Sequence, residues 1–192
     1  MLKPWEIAEL AAFNASCALS KLVGKPLVIK MSDWQIEKVE DFGPTMDPEQ
    51  LVVVIYVPVT GDTTGASLLV LPQETSFAMS DLLAKREPGT ARELSELDKS
   101  ALKEAGNIVC ANYLTVLSDR LQIRIIEHAP IFSFDMFGAI TSEIIAKFTQ
   151  KTEKALTTEI RFIFQSVAMA GHLAFLFEPG IVNTIVGTLE SI

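Results

Sequence analysis

An internal repeat is the feature of this sequence that most constrains its fold. The segment from Glu6 to Ser20 aligns with the segment from Glu104 to Ser118, and matched residues lie 98 positions apart. Both segments begin with Glu, carry an Asn in the middle and end in Leu-Ser. Such self-similarity is typical of a duplicated supersecondary unit. The repeat therefore predicts two similar helices in equivalent positions, although two amphipathic helices can also resemble each other by chance.

A second pair of segments extends the repeat. Gly65–Leu71 resembles Gly171–Phe177, at a spacing of 106 residues, and each segment precedes a predicted helix. We expect the eight additional residues within Ala129–Thr152. The polar stretch 85–94, which contains Pro-Gly, reads as a linker. The 192 residues are thus predicted to form a single domain of two similar halves, about 1–84 and 95–192.

Apolar spacing gives the individual elements. The predicted helices are Pro4–Leu22, Glu74–Leu83, Asp98–Asp119 and Ile181–Leu189. The predicted strands are Pro26–Met31, Gln35–Val39, Leu51–Val59, Ala66–Leu71, Leu121–Glu127, Leu156–Ser166 and Leu173–Phe177, with the Phe-rich segment Ile131–Phe137 as a buried strand. These elements predict an α/β (α+β) fold with pseudo-two-fold symmetry. A mostly antiparallel sheet is backed by two long helices that lie side by side and expose polar stripes.

One polar stripe stands out on the second long helix. Ser100, Glu104 and Asn107 are spaced i, i+4 and i+7, so their side chains share one helix face. The apolar residues from 108 to 117 attach the helix to a core and turn the polar face outward. A hydroxyl, a carboxylate and an amide on this face form either a solvated surface or a functional site.

Composition and charge exclude several kinds of protein. The net charge of −8 and the lack of a Gly-rich phosphate loop argue against nucleic acid and nucleotide as partners. Two His residues are too few for a His-rich metal site, and Cys17 and Cys110 are expected to be reduced and buried. No apolar run reaches the roughly 20 residues of a membrane span, and the N-terminus lacks the pattern of a signal peptide. We therefore expect a cytoplasmic protein without membrane insertion.

The repeated motif resembles the CheC, CheX and FliY phosphatases of bacterial chemotaxis, most of all CheC. That family carries Asp/Ser-x-x-x-Glu-x-x-Asn on a long exposed helix, and CheC carries it twice. The second copy here matches as Ser100-x-x-x-Glu104-x-x-Asn107 and is followed by Asn112. The first copy reads Leu2-x-x-x-Glu6-x-x-Glu9, so it departs from the pattern at its first and last positions. The turn within Val57–Gly65 also resembles a segment of CheC.

This resemblance implies an enzyme, a protein aspartyl-phosphate phosphatase (hydrolase) that acts on a CheY-like response regulator in two-component signalling. Glu104 and Asn107 would be catalytic, Asn107 by positioning the attacking water, and Ser100 would contribute to partner binding. The response regulator would bring its own Mg²⁺, so the phosphatase needs no metal or other cofactor of its own.

The first copy of the motif leaves alternatives open. Glu6 and Glu9 would form a degenerate second site that is inactive or weaker, that binds a regulator without hydrolysis, or that is simply a solvated face. For the whole chain, the alternative to a phosphatase is a non-catalytic module that binds a response regulator or a CheD-like deamidase, in chemotaxis signalling or the flagellar switch. The sequence leaves monomer and dimer open.

Overall fold

The structure, a computed structural model, describes residues 4–39, 46–149 and 152–183. Its helices are α1 (Pro4–Val23), α2 (Gln73–Leu83), α3 (Glu96–Leu121) and α4 (Phe137–Phe148). Its strands are β1 (Val28–Met31), β2 (Gln35–Lys38), β3 (Leu51–Gly61), β4 (Gly65–Pro72), β5 (Ile125–Glu127), β6 (Ile131–Met136), β7 (Lys154–Phe164) and β8 (Val167–Phe177). Helical residues also occupy 179–183, so the predicted closing helix begins here and its remainder lies outside the described residues.

The eight strands form one sheet in the order β1-β7-β8-β4-β3-β5, with β2 also paired to β7 and β6 also paired to β3. Each of these pairings is antiparallel. The predicted fold class is therefore confirmed. The short strands β1 and β2, early in the chain, pair with β7, which comes late in it. Conversely, β5 and β6, which come later, pair with β3, which comes early.

The centre of the sheet is the antiparallel pair β4–β8. It joins the two segments that resemble each other in sequence, Gly65–Leu71 and Gly171–Phe177. The register places Leu68 opposite Ala174, which are equivalent residues of the sequence repeat. If a two-fold rotation exchanged the two segments, the same residue pairs would still lie opposite each other.

Helices cover both faces of the sheet. In β3, side chains alternate between the faces because successive residues of a strand point in opposite directions. Val53, Ile55 and Val57 belong to the core beneath α1, α2 and α3, whereas Val52 and Val54 belong to a second core beneath α4. The helices thus pack their apolar faces against the sheet. No helix in the described ranges is long and apolar enough to cross a membrane.

Helix α4 was not predicted from the sequence. It lies within the region 129–152, where additional residues were expected, and it packs Phe137, Ile144 and Phe148 onto the sheet. Its first residue, Phe137, completes an apolar run that reads as a strand. The preceding Met136 makes no side-chain capping bond, so the usual polar signal of a helix start is missing.

The prediction that Ile131–Phe137 is a buried strand is only half right. The strand forms as β6, but Ile131, Phe134 and Met136 are exposed. Among the described strands β6 pairs with β3 alone, so one side of β6 has no neighbouring strand. An apolar run identifies the strand, but it does not say on which side of the sheet other elements pack.

The two cysteines have different environments. Cys110 is buried in α3, and burial raises the pKa of its thiol to about 12. Cys17 is exposed on α1, so the prediction that both are buried is wrong for Cys17. Helix α1 packs into the core through Ala11, Ala15 and Leu19, and Cys17 lies on a different face of the helix.

Close packing between α3 and β3 depends on Gly106. A Cβ atom at this position would lie 2.7 Å from Cγ1 and 2.9 Å from Cβ of Ile55. Ile55 is itself fully buried, and its branched Cβ cannot move aside without the backbone. The missing side chain of Gly106 therefore fixes how closely α3 approaches the sheet.

We expect Gly106→Ala to lower the free energy of unfolding by about 1–2 kcal/mol, because overpacking in a dense core outweighs the better helix propensity of Ala. Urea denaturation followed by circular dichroism measures this loss. Gly180→Ala is the matched control, since an added Cβ there meets no atom within 4 Å. Equal stability of the two variants would contradict the packing argument.

Candidate functional site

Helix α3 begins at a well-defined cap. The Ser95 Oγ accepts a hydrogen bond from the Asp98 backbone N–H at 3.2 Å, and the Ser95 N–H donates to the Asp98 carboxylate at 3.0 Å. This reciprocal pair satisfies backbone donors that would otherwise lack partners at the helix start. The capping box explains why the helix begins at Glu96, two residues before the predicted start.

A bridging arginine attaches this helix start to α2. The Arg86 guanidinium donates to Asp81 at 2.8 Å and to Asp98 at 2.6 Å. The second carboxylate oxygen of Asp81 accepts hydrogen bonds from the backbone N–H groups of Thr90 and Ala91. One buried carboxylate therefore holds both the arginine and the linker, and the arginine fixes the first turn of α3.

Both carboxylates remain charged despite their burial. Burial raises the pKa of Asp81, but hydrogen bonds from Ala91, Arg86 and Thr90 outweigh it and leave the pKa below its ordinary value. The pKa of Asp98 is lowered in the same way, with hydrogen bonds from Ser95 and Arg86 overcoming burial. The bridge is thus an ion-pair network whose contribution to stability depends on pH.

The predicted polar stripe lies on the outer face of α3. Ser100 and Glu104 are exposed, and Asn107 is half-buried. None of the three side chains makes a hydrogen bond or an ion pair within the part of the chain that the structure describes. From Ser100 to Asn107 the stripe extends about 10 Å along the helix. A carboxylate and an amide are therefore available to a partner on a helix that is fixed at its start and middle.

Asn112 has a different role from Asn107. Its Nδ2 donates to the carbonyl oxygen of Ile108 at 2.7 Å, one turn earlier on the same helix. The amide of Asn112 is therefore engaged within α3, whereas that of Asn107 is not.

The degenerate copy of the motif lies on the neighbouring helix. α1 packs beside α3, and the Tyr113 hydroxyl of α3 donates to the Ala8 carbonyl oxygen of α1 at 3.1 Å. On α1, Glu9 is exposed and Glu6 is half-buried, while Leu2 lies outside the described residues. The structure therefore places both copies on adjacent helices, and only α3 presents an amide at the last position.

The residues that hold the site in place were not identified from the sequence. Arg86 and Asp81 fix the start of α3 through charge, and Gly106 fixes its approach to the sheet through packing. None of the three belongs to the i, i+4, i+7 pattern of the stripe. Two local signals were present: Ser95 three residues before Asp98 is typical of a capped helix start, and a glycine inside an apolar helix indicates close packing. The partners of Arg86 carry no such local signal. In the described ranges, no three His, Cys, Asp or Glu side chains cluster as a metal site would require.

Comparison with known proteins supports the resemblance seen in the sequence. Residues 97–132, which include the α3 stripe, match the CheC-like family. The chain is 27% identical over 167 residues to the CheY-P phosphatase CheC of Bacillus subtilis. The alignment covers 84% of this chain and 78% of that protein. The predicted resemblance to the CheC, CheX and FliY phosphatases is therefore confirmed.

Two solved structures share the fold. FliY of Thermotoga maritima aligns with a TM-score of 0.75 and 20% identity, covering 100% of this chain and 98% of that one. CheX of Borrelia burgdorferi, solved in complex with CheY, BeF₃ and Mg²⁺, aligns with a TM-score of 0.56 and 18% identity, covering 90% and 97%. At these identities the likeness establishes the fold.

The network around Arg86 predicts how stability depends on pH. Because the folded-state pKa values of Asp81 and Asp98 lie below the ordinary value of 3.8, their contribution is complete above that pH and is lost as the pH falls through the folded-state values. Arg86→Met removes the shared cation. We expect the variant to be less stable than the wild type at about pH 7, and the difference to shrink below about pH 4.

Urea unfolding measured at several pH values tests this expectation. Arg92→Met is the matched control, because within the described residues Arg92 donates to nearby backbone carbonyls of the linker and to no carboxylate. A constant stability difference between wild type and Arg86→Met across the acidic range would show that the carboxylates are not coupled to the arginine.

Proposed function

We propose that the chain is a phosphatase for the aspartyl phosphate of a CheY-like response regulator, with Glu104 and Asn107 as catalytic residues. The observation that carries the proposal is the unengaged carboxylate and amide on the outer face of α3, held in place by Arg86 and Gly106. The similarity to the CheY-P phosphatase of Bacillus subtilis supports the same reaction.

Hydrolysis of an aspartyl phosphate requires few catalytic groups from the phosphatase. The acyl phosphate is already activated, so hydrolysis requires a water molecule aligned with the phosphorus atom and the leaving carboxylate oxygen. Phosphoryl transfer depends chiefly on positioning and electrostatics. The amide of Asn107 suits this task because it both donates and accepts hydrogen bonds and does not titrate. In this proposal Asn107 holds the attacking water in line.

Glu104 has a separate part in the proposal. A carboxylate is too weak a base to deprotonate water at neutral pH, so a role in docking fits its chemistry better. As the family resemblance implies, Glu104 pairs with the active-site lysine of the regulator and fixes the register of the two proteins. Ser100, one turn earlier on the exposed face, adds a peripheral hydrogen bond. Together these contacts position Asn107 over the phosphoryl group.

We propose that Mg²⁺ arrives with the substrate and that the chain contributes no cofactor of its own. The structure of Borrelia burgdorferi CheX contains CheY, BeF₃ and Mg²⁺, which supports a regulator that carries its own ion. Because response regulators act in the cytoplasm, we propose the same location for this chain. A CheD-like deamidase stays a further partner proposed from the family resemblance alone.

The copy of the motif on α1 is proposed to be inactive or much weaker. Glu9 occupies the position of Asn107, and an ionised carboxylate accepts hydrogen bonds but cannot donate them. It also brings a negative charge toward the phosphoryl group, which disfavours the approach of substrate. The proposed activity therefore resides on a single helix.

We expect Asn107→Ala and Glu104→Ala each to reduce phosphate release from a phosphorylated CheY-like protein by about a hundredfold, which corresponds to about 2.7 kcal/mol of activation free energy. Each variant removes a contact that positions water or regulator. Glu9→Ala should change the rate little. Phosphate release is measured under single-turnover conditions, and regulator binding is measured separately.

Thr115→Ala is the matched control, since Thr115 is an exposed residue of the same helix two turns beyond Asn107. Full activity of Asn107→Ala would rule out the water-positioning role. Binding of the regulator without hydrolysis by the wild-type chain would instead favour the second candidate, a non-catalytic binding module.

A further inference from the structure

A row of exposed side chains runs along α1, away from the proposed catalytic helix. Glu9, Phe13, Cys17 and Lys21 are spaced four residues apart, and all four are exposed. Phe13 is 65% exposed, which is unusual for a large aromatic residue on a packed helix. We call these four residues the α1 ridge. On α3, the positions equivalent to Phe13 and Cys17 are Ala111 and Thr115, so the ridge belongs to α1 alone.

The α1 ridge borders an open groove of about 1380 Å³. The groove lies between α1 and the segment 24–34, which includes β1 at the edge of the sheet. Pro26, Val28 and Met31 supply apolar surface on that side, and Lys25 lies at one end. The residues that line the groove include none from α3. An occupant of the groove would therefore leave the α3 stripe open.

Backbone groups of Leu27 and Ile29, beside the groove, are already engaged. The Ile29 N–H donates to the Ser16 hydroxyl at 2.8 Å, and the Leu27 N–H donates to the Ser20 hydroxyl at 2.9 Å. Ser20 also donates to the Leu27 carbonyl oxygen at 3.0 Å. A peptide added as another strand would have to displace these bonds. The groove therefore suits an occupant that binds through side chains, such as a helix.

Charge along the ridge selects the occupant. Glu9 lies toward the start of α1, the two apolar side chains occupy the middle, and Lys21 lies toward the end, with Lys25 just beyond. A complementary helix carries an acidic residue opposite Lys21, a basic residue opposite Glu9, and apolar residues between them. The α1 ridge itself, turned through 180°, has this order.

We propose that the groove is occupied by α1 of a second copy of this chain, in an isologous dimer with antiparallel α1 helices. The two ridges follow i±4 rows, and such rows pack into each other when helices cross at about 50°. The two-fold axis then passes between Phe13 and Cys17 on the exposed face of α1. Glu9 of each copy lies beside Lys21 of the other, and Phe13 of each copy packs against Cys17 of the other.

This arrangement gives the first helix of the repeat a role that does not require an amide. The dimer covers Glu9 and leaves Ser100, Glu104 and Asn107 of each copy exposed. The α1 ridge and the groove contain no residue of the α3 stripe, so the dimer does not depend on the phosphatase activity.

Charge exchange tests the dimer. We expect Glu9→Lys and Lys21→Glu each to raise the dissociation constant of the dimer by about tenfold or more, because each places like charges together at two points. An equimolar mixture of the two variants should form a heterodimer, in which opposite charges face each other again. Sedimentation velocity across a concentration series measures association, and native mass spectrometry identifies the mixed species.

Glu143→Lys, a charge reversal at an exposed residue of α4, is the matched control and should leave association unchanged. A wild-type chain that stays monomeric at every concentration would overturn the proposal. Dimers that are unaffected by the α1 variants would overturn it as well, because another surface would then hold the copies together.

A cross-link tests the register. In the Phe13→Cys variant the introduced thiol should lie beside Cys17 of the second copy, so mild oxidation should give a covalent dimer. Cys110 is buried and does not compete. The same substitution in a Cys17→Ser background removes the partner thiol and should cross-link much more slowly. Equal cross-linking in both backgrounds would contradict the proposed register.

Discussion

The antiparallel pair β4–β8 is the contact on which the rest of the structure depends. It joins the hairpin β3–β4 to the hairpin β7–β8 in the middle of the sheet. Almost every residue of β4 is buried, because helices cover both faces at this point. Since the pairing aligns Leu68 with Ala174, it also sets α1 and α3 side by side above the sheet. The position of the candidate site therefore follows from the register of two strands that contribute no residue to it.

The sequence was informative where one element carries its own pattern. Helical spacing predicted α3 and the common face of Ser100, Glu104 and Asn107, and strand patterns predicted the sheet. Errors arose where a residue's surroundings come from distant parts of the chain. The exposure of β6 depends on its place at the sheet edge, and the exposure of Cys17 depends on which face of α1 packs. The bridge from Arg86 to Asp98 is likewise invisible in local spacing, because its two carboxylates belong to different helices.

The two long helices share a scaffold and differ in what they present. α3 carries an amide at its last motif position, with Ala111 and Thr115 on the same row beyond it, whereas α1 carries a carboxylate and then an exposed phenylalanine. Both helices have a serine near their end whose hydroxyl donates to a carbonyl oxygen of the following segment. Ser20 of α1 donates to Leu27, and Ser118 of α3 donates to Ile123. The framework is therefore retained in both helices while their outer surfaces have diverged.

The pairing of the early strands β1 and β2 with the late strand β7 has a consequence for biosynthesis. Ser32 and Thr158, which hydrogen-bond where the first short strands meet β7, lie 126 residues apart. At typical elongation rates the ribosome needs roughly 10 s to make that stretch, so β1 and β2 emerge long before their partner. Until then α1 can shield the outer edge of β1 through Ser16 and Ser20. The native sheet can close only after β7 and β8 have been synthesised, so translation delays its folding.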